Sequence, residues 1–244
     1  MNSRFSFLID FVLFQAVWFS CVLATRSDFP HALPLLSLLL VFARVVGTKR
    51  FRQALPFVCA CALIGVCGDD EAGKSLHDEL AKFPAIRFDL VTITDRSTSL
   101  KTRFRAGSQQ ILRVDDEVTS DIDAAAAEQL CKYALPAIQD ADLVVLSDYA
   151  KGALPPLLLE KIIAHAKAKG KMIIADPKRA DISVYSGVDL LTPNLAELQN
   201  TTDQILSSIE AIGQAATALA KEFGIGSILT TMSARGMMLS RADG

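Results

Sequence analysis

The sequence predicts an α/β fold with a doubly wound, mostly parallel sheet, helices on both faces and a small β lid. The first observation is an alternation of short apolar runs with helical patterns, which continues from about residue 62 to residue 240. The second is that runs such as residues 142–146 and 172–175 are apolar throughout, which is typical of strands buried on both faces. The third is that polar residues follow these runs, where the carboxyl ends of parallel strands would meet.

The individual elements follow from periodicity and from stop signals along the chain. We predict strands over residues 62–66, 88–92, 100–105, 110–114, 142–146, 172–175, 188–191, 226–230 and 237–240. Helices are predicted over residues 74–83, 121–139 and 156–169, from Leu195 onward, and over residues 203–223 as one long amphipathic helix. Gly107 and Ser108 predict a hairpin turn, which would place residues 101–114 in the lid.

Composition excludes several classes of function. The net charge is −2 over 244 residues, so no nucleic-acid partner is indicated. The five cysteines are odd in number and form no C-x-x-C pair, which favours free thiols in a reducing compartment. The three histidines are scattered and have no metal-ligand spacing. We therefore expect a cytoplasmic protein.

The first sixty residues differ from the rest of the chain. Residues 5–24 are apolar and long enough to span a bilayer, so a membrane anchor is one interpretation. Asp10 and Gln15 interrupt this run, and Arg4 is its only flanking cation. A charge at the bilayer centre costs about 2.5–3.5 kcal/mol on insertion scales, so we do not expect a membrane partner.

Residues 68–75 match the P-loop pattern G-x-x-x-x-G-K-S between a strand and a helix. The loop would hold the carboxylates of Asp69, Asp70 and Glu71 beside a polyphosphate. Like-charge repulsion opposes binding there, so we predict that this is not a phosphate loop.

Residues 173–197 carry the strongest candidate site. Two apolar runs in this stretch deliver Asp176, Lys178, Asn194 and Glu197 to one sheet edge. The alternative is ordinary helix capping, because Asn194 and Glu197 have the spacing of a capping box. Spacing leaves the two interpretations equally supported.

Lys101, Arg103 and Arg105 alternate along a predicted strand and would share one face. Three cations on one face suit a phosphorylated substrate. A solvated edge strand protected by charge is the equally supported alternative.

Several motifs together resemble one family of sugar kinases. They are S-D-Y-A-K-G at residues 147–152, A-D-P-K at 175–178, L-L-T-P-N-L-A-E at 190–197 and T-x-S-x-x-G-M at 231–237. With K-T-R-F-R-A-G-S-Q-Q-I-L-R-V-D-D-E and G-D-D-E-A-G, they resemble the ribokinase (phosphofructokinase-B) superfamily. The closest likeness within it is to D-glycero-D-manno-heptose 7-phosphate kinase, the kinase half of bifunctional ADP-heptose synthase. The resemblance covers residues 63–244.

This resemblance implies a ribokinase-like fold, ATP and Mg²⁺ as cofactors, and a sugar phosphate as substrate in bacterial lipopolysaccharide biosynthesis. It also implies a homodimer formed through the β lid. The implied nucleotide-binding residues, with Glu197 also organising the metal, are Asn194, Leu195, Ala196, Glu197, Thr231, Ser233 and Gly236. The implied substrate-binding residues are Lys101, Arg103, Asp148, Lys151 and Lys178.

Two features of the family are absent from this sequence. Residues 1–62 contain neither the strand that ends in a sugar-binding Asp nor the facing Gly-Gly pair. The G-A-G-D motif, which carries the anion hole and the general base, would lie beyond Gly244. We therefore assign no catalytic residue and expect residues 1–244 alone to phosphorylate poorly.

A frame shift accounts for the unusual amino-terminal segment. Codons for residues 27–38, read in a shifted frame, permit R-L-S-P-R-A-P-V-P-V-V, and the family carries R-[IL]-S-P-E-A-P-V-P-V. We expect residues 1–60 to be an out-of-frame segment that packs poorly, and residues 61–244 to be a partial kinase domain. Two other functions stay open: a different sugar or nucleoside kinase, and a non-catalytic binding protein anchored in a membrane by residues 5–24.

Overall fold

The computed structural model describes residues 21–26, 60–84 and 86–243. The described strands are β1 (Cys21–Arg26), β2 (Ala60–Gly68), β3 (Ile86–Ile93), β4 (Leu100–Ala106), β5 (Gln109–Asp116), β6 (Leu143–Ser147), β7 (Met172–Asp176), β8 (Leu190–Leu191), β9 (Ser227–Thr231) and β10 (Met237–Arg241). The described α-helices are α1 (Glu71–Ala81), α2 (Ala124–Asp140), α3 (Pro156–Ala168), α4 (Leu195–Thr202) and α5 (Ile209–Glu222). Short 3₁₀ turns occupy Ser183–Tyr185 and Ser233–Arg235.

The main sheet has the strand order β10-β9-β8-β7-β6-β1-β2-β3. The pairs β2–β3, β6–β7, β7–β8 and β8–β9 are parallel, whereas β1 and β10 run antiparallel to their neighbours. Strands β4 and β5 form a separate antiparallel hairpin, hereafter the lid sheet. Gly107 turns the hairpin with φ +59°, a conformation that glycine adopts without strain. The predicted mostly parallel sheet and the predicted hairpin are both confirmed.

Helices cover both faces of the sheet because successive side chains of a strand point to opposite faces. On β2, Leu63 and Cys67 pack with Leu76 and Leu80 of α1. Ile64, between them, belongs to the larger core on the other face, which contains residues of α2, α3 and α5. The chain is therefore doubly wound, as the sequence predicted.

Strand β1 pairs on one side with β2 and on the other with β6. It comes from the segment that we expected to pack poorly, and these six residues pair on both sides. Of the apolar run at residues 5–24, only residues 21–24 lie among the described residues. For the rest of residues 1–60, the poor packing and the frame shift stay predictions.

The long helix predicted over residues 203–223 is wrong at its start. Helix α4 ends at Thr202, and Asp203 follows with φ +53°, in the left-handed region. Helix α5 begins at Ile209 because the side chain of Ser208 accepts a hydrogen bond from the backbone N–H of Ala211. No helix within the described ranges combines the length and the hydrophobicity needed to cross a bilayer.

Candidate functional site at the carboxyl edge of the sheet

The candidate site lies where β6, β7, β8 and β9 end. Asp176 is the last residue of β7, and Lys178 comes two residues later, after Pro177. The Lys178 Nζ atom lies 2.7 Å from Glu197 Oε1 and 3.6 Å from Asp176 Oδ1. The same ammonium lies 5.7 Å from the centre of the Tyr149 ring. We call these four residues the central cluster.

Burial is the largest influence on the pKa of two members of the central cluster, Asp176 and Tyr149. It raises the pKa of Asp176, and the Glu197 charge adds to this, although Lys178 acts in the opposite direction. Burial also raises the pKa of Tyr149 to about 12, with smaller contributions from Asp176 and Glu197. The Tyr149 phenol therefore keeps its proton at neutral pH.

Asn194 and Glu197 form a capping box at the start of α4. Asn194 Oδ1 accepts from the Glu197 N–H at 2.9 Å, and the Asn194 N–H donates to Glu197 Oε2 at 2.8 Å. The capping interpretation is thus confirmed. It does not compete with the site interpretation, because the other Glu197 oxygen binds Lys178.

The remaining predicted nucleotide residues surround the same helix start. The Thr231 N–H donates to the Pro193 carbonyl at 2.9 Å, and Thr231 pairs with Asn194. Ser233 and Gly236 follow in a tight turn with φ +54° and φ +85°. Leu195 and Ala196 form the first turn of α4, where backbone N–H groups lack partners within the helix.

A second cluster joins the lid sheet to the loop after β6. Glu117 Oε2 lies 2.9 Å from Lys101 Nζ, and Glu117 Oε1 lies 2.5 Å from Lys151 Nζ. Asp115 Oδ2 also contacts Lys101, at 3.1 Å. Burial would raise the pKa of Glu117, but hydrogen bonds from Lys151 and Lys101 lower it overall. We call this the Glu117 cluster. Arg103 lies two residues from Lys101 on β4, opposite Arg113.

Asp148, which the resemblance implied to bind substrate, lies in a network of hydrogen bonds inside the protein. Its side chain is fully buried. Asp148 Oδ2 accepts from Arg179 Nε at 2.6 Å and from the Tyr185 hydroxyl at 2.7 Å, and Oδ1 accepts from the Ala150 N–H at 2.8 Å. Both oxygens are bound inside the protein, so Asp148 holds the loop that carries Lys151. Its contact with a substrate stays a prediction.

Arg96 holds the same loop from the other side. Its guanidinium donates to the carbonyls of Ser120, Val118 and Lys151. Gly152 has φ +75°, and a Cβ atom there would lie 1.9 Å from the Ser120 carbonyl oxygen. The Lys151 backbone is therefore fixed by close packing and by two half-buried arginines, Arg96 directly and Arg179 through Asp148.

The P-loop pattern at residues 68–75 is a capping and packing motif. Asp70 accepts from the N–H groups of Gly73 and Thr98, each at 2.7 Å. A Cβ on Gly68 would lie 2.1 Å from the Arg96 carbonyl oxygen. The Gly73 N–H of the loop thus binds a protein carboxylate, and the Gly68 N–H binds the Thr98 hydroxyl. Both contacts agree with the prediction that this is not a phosphate loop.

Sequence reasoning assigned no role to Tyr149, Asp115, Glu117 and Arg179, and it placed Asp176 at the sheet edge without assigning it a ligand. The position of Asp176 at a strand end was a usable signal. Glu117 lies one residue after the lid hairpin, and its partners are 16 and 34 residues away. No local pattern marks Arg179, whose partner Asp148 is 31 residues distant.

The central cluster fits a magnesium ion by its chemistry. Among the described residues, no group of three or more metal-binding side chains converges on one point. Mg²⁺ needs less than that, since it commonly binds through one or two carboxylates, waters and substrate phosphates. Asp176 and Glu197 supply two carboxylates against the single charge of Lys178.

The fold and the charged edge together define a sugar kinase. The pfkB family of carbohydrate kinases matches residues 52–244, and the chain belongs to this family. A family of unknown function, DUF2878, also matches residues 7–75. The fold expected from the sequence motifs is confirmed, as is membership of the kinases.

Curated relatives named bifunctional protein HldE extend the likeness. The chain is 42% identical over 183 residues to the one from Azorhizobium caulinodans and 39% identical over 183 residues to the one from Paramagnetospirillum magneticum. Each match covers 75% of this chain and 38% of the relative, so the chain spans well under half of their length. The expected resemblance to a bifunctional protein is confirmed.

Solved structures agree on the fold. Phosphofructokinase-2 from Escherichia coli, in a tetrameric inhibited form, matches with a TM-score of 0.60 and 17% identity over 75% of this chain and 60% of its own. Arabidopsis thaliana ribokinase, complexed with ribose and ATP, matches with a TM-score of 0.56 and 18% identity over 75% and 58%. At these identities the likeness concerns the fold.

Proposed function

We propose that this chain is the kinase part of a protein that phosphorylates heptose 7-phosphate with Mg²⁺–ATP, supplying ADP-heptose synthesis for the lipopolysaccharide core. The observation that carries the proposal is the pair of charged clusters around the loop after β6. That loop contributes Tyr149 to the central cluster and Lys151 to the Glu117 cluster. Two charged clusters connected by one loop suit two ligands, the nucleotide and the sugar phosphate, held in line with each other. Phosphoryl transfer depends mainly on such positioning and on charge neutralisation.

The central cluster would bind the nucleotide. Glu197 and Asp176 would hold magnesium, which would neutralise phosphate charge when bound. Lys178 would contact the phosphoryl group, since its ammonium lies between these carboxylates. The first turn of α4, with Leu195 and Ala196, would offer backbone N–H groups to an anion, and Asn194 would fix the start of this helix through its capping box with Glu197.

The nucleotide pocket would continue along the turn after β9. Thr231, Ser233 and Gly236 follow each other there, beside the start of α4. The left-handed conformations of Ser233 and Gly236 bring backbone into close reach of a ligand.

The Glu117 cluster would bind the sugar phosphate. Lys101 and Lys151 come from two separate elements and point to one place, and Arg103 lies on the same face of β4 as Lys101. Asp148 contributes indirectly, through the loop that it fixes.

We further propose that residues 1–244 alone transfer the phosphoryl group slowly. Asp148, the buried carboxylate of the loop, already accepts three hydrogen bonds, so it cannot act as the base. Acid–base help from a positioned group is typically worth about 10²–10⁴-fold in rate. Rapid ADP release by the purified chain with heptose 7-phosphate would contradict this.

Ligand-induced stabilisation tests the substrate. A ligand present at about 100 times its Kd stabilises the native state by about 2.7 kcal/mol, which thermal denaturation detects. With Mg²⁺–ADP present, heptose 7-phosphate should raise Tm more than ribose, fructose 6-phosphate or adenosine. Lys178→Met is the control, and it should weaken the nucleotide response alone. A larger response to adenosine or to an unphosphorylated sugar would favour a different kinase of the family.

The exposed apolar residues of the lid sheet support a proposal about the oligomeric state of the chain. The lid sheet exposes Phe104, Leu112 and Val114, and we propose that a second copy of the chain covers them in the cytoplasm. Sedimentation should show a dimer that Phe104→Lys converts to monomer. A carbonate-resistant membrane pool would instead support a membrane-anchored binding protein.

A further inference from the structure

We propose that Glu117 occupies the place of the substrate's phosphoryl group, and that binding exchanges this internal carboxylate for the ligand. The inference rests on the proposed sugar-phosphate site and adds a residue to it. Glu117 would thereby set how strongly this site prefers a phosphoryl group, which carries two negative charges, to neutral sugars and carboxylates.

The geometry gives Glu117 the contacts that a phosphoryl group would make. Each of its oxygens binds a different ammonium, Lys101 at 2.9 Å and Lys151 at 2.5 Å. All three side chains are largely buried, with exposed fractions of 17% for Lys101, 21% for Glu117 and 22% for Lys151. Two ammonium groups held together in this way would repel each other without an anion between them.

Glu117 also makes an ionic connection between the lid sheet and the main sheet, through Lys151. Lys101 belongs to β4 of the lid sheet. Lys151 belongs to the loop after β6, which Arg96 and Asp148 fix. An anion that replaces Glu117 would therefore keep the lid sheet connected, whereas loss of the carboxylate without replacement would release it.

A dianion has an advantage over the carboxylate at this position. Glu117 brings one charge to two cations. Asp115 supplies a second charge to Lys101, which it shares with Arg113. A phosphoryl group brings about two charges and three acceptor oxygens. The exchange therefore favours phosphomonoesters over neutral sugars and over carboxylates.

Glu117→Gln tests the exchange in the full 244-residue chain, with inorganic phosphate as the probe. Glutamine keeps the shape of glutamate and removes the competing charge. We expect phosphate to bind the variant about tenfold more tightly than the wild type, since a like charge at this range shifts such equilibria by an order of magnitude. Equal or weaker binding would overturn the proposal.

Hydrogen exchange of the lid sheet gives the second readout. Without phosphate, residues 100–106 should exchange faster in Glu117→Gln than in the wild type, and phosphate should restore protection. Sodium chloride at equal ionic strength should not. Restoration by chloride as well would show simple screening and overturn the proposal.

Matched variants complete the design. Asp115→Asn removes a carboxylate that contacts Lys101 and leaves the bridge from Lys101 through Glu117 to Lys151 intact. Hydrogen exchange of residues 100–106 in this variant should therefore not depend on phosphate. Glu117→Asp retains the charge but is too short to reach both lysines, and serves if the glutamine variant unfolds. In Glu117→Asp, residues 100–106 should lose protection against hydrogen exchange, and phosphate should restore it. Full protection without phosphate would show that Glu117 does not bridge the two lysines.

The source of the phosphoryl group is decided by comparing ligands. A sugar phosphate should restore protection against hydrogen exchange at a lower concentration than ATP does. If ATP restored it at the lower concentration, the assignment of this cluster to the sugar phosphate would be overturned. Phosphate binding can succeed even if the chain transfers nothing, so failure of this inference and failure of the proposed function are distinguishable.

Discussion

Tyr185→Phe removes one hydroxyl from a buried network and leaves the ring in place. The hydroxyl donates to Asp148 Oδ2 at 2.7 Å, and both side chains are fully buried. A hydrogen bond to a charged group contributes about 1.5–3 kcal/mol. Phenylalanine fills the same volume, so no cavity forms. Arg179 still compensates the carboxylate charge, with its Nε atom 2.6 Å from the same oxygen. We therefore expect a loss of about 2 kcal/mol of unfolding free energy.

Arg179→Met should cost more, because it leaves the Asp148 carboxylate buried without its cation. Breaking a buried pair from one side typically costs about 3–5 kcal/mol. The variant also loses the hydrogen bond from Arg179 to the Leu154 carbonyl, at 2.9 Å. The structure thus predicts that Arg179→Met loses more unfolding free energy than Tyr185→Phe, and it predicts the size of each loss.

Urea and thermal denaturation measure both variants. For a chain of this size each kcal/mol shifts Tm by about 2–4 °C, so Tyr185→Phe should lower it by about 4–8 °C. Tyr133→Phe is the matched control, since this half-buried ring packs against the same core. If Tyr185→Phe proves as silent as the control, or costs more than Arg179→Met, the account of the network is wrong.

Further predictions concern charge, capping and the amino-terminal segment. Asp176→Asn should raise Tm at pH 7, because burial raises the pKa of Asp176 and penalises its ionised form; the gain should disappear below about pH 4, where the aspartate is protonated in both states. Glu197→Gln should leave Tm nearly unchanged and weaken Mg²⁺–ADP binding, whereas a lower Tm with unchanged binding would show a capping role alone. Lys74→Ala should leave nucleotide binding unchanged, and weaker binding would restore the P-loop interpretation. Limited proteolysis should first cut within residues 1–60, and a resistant core beginning near residue 1 would contradict the expected poor packing.

Local chemistry made much of the fold predictable. The strand ends, the lid hairpin and the Asn194–Glu197 pair each depend on residues close together in sequence, so periodicity and spacing were enough. The break before α5 was also local, since Ser208 is a good N-cap placed just before an apolar helical pattern. Treating residues 203–223 as one helix overlooked that signal.

The partners of the charged residues were not predictable in the same way. Sequence alone presented Lys101 and Arg103 as cations facing substrate, and Asp148 as a polar loop residue open to ligand. Which carboxylate meets which ammonium depends on how distant segments pack, and Asp148 and Tyr185 are 37 residues apart. The pairing of β1 with β2 and β6 is equally non-local.

The paired charges have a consequence for binding. Lys101 and Lys151 are bound to Glu117, and Lys178 is bound to Glu197 and Asp176. Anionic ligands therefore exchange one ion pair for another, and the free energy of binding is the difference between the two. The internal carboxylates keep the lysines oriented without ligand, which lowers the ordering cost of binding. Under the proposed exchange they would also raise the charge that a ligand must bring, so phosphorylated sugars would gain more than neutral ones. Preference for a ligand with two negative charges would then be a property of the residues that already occupy the site.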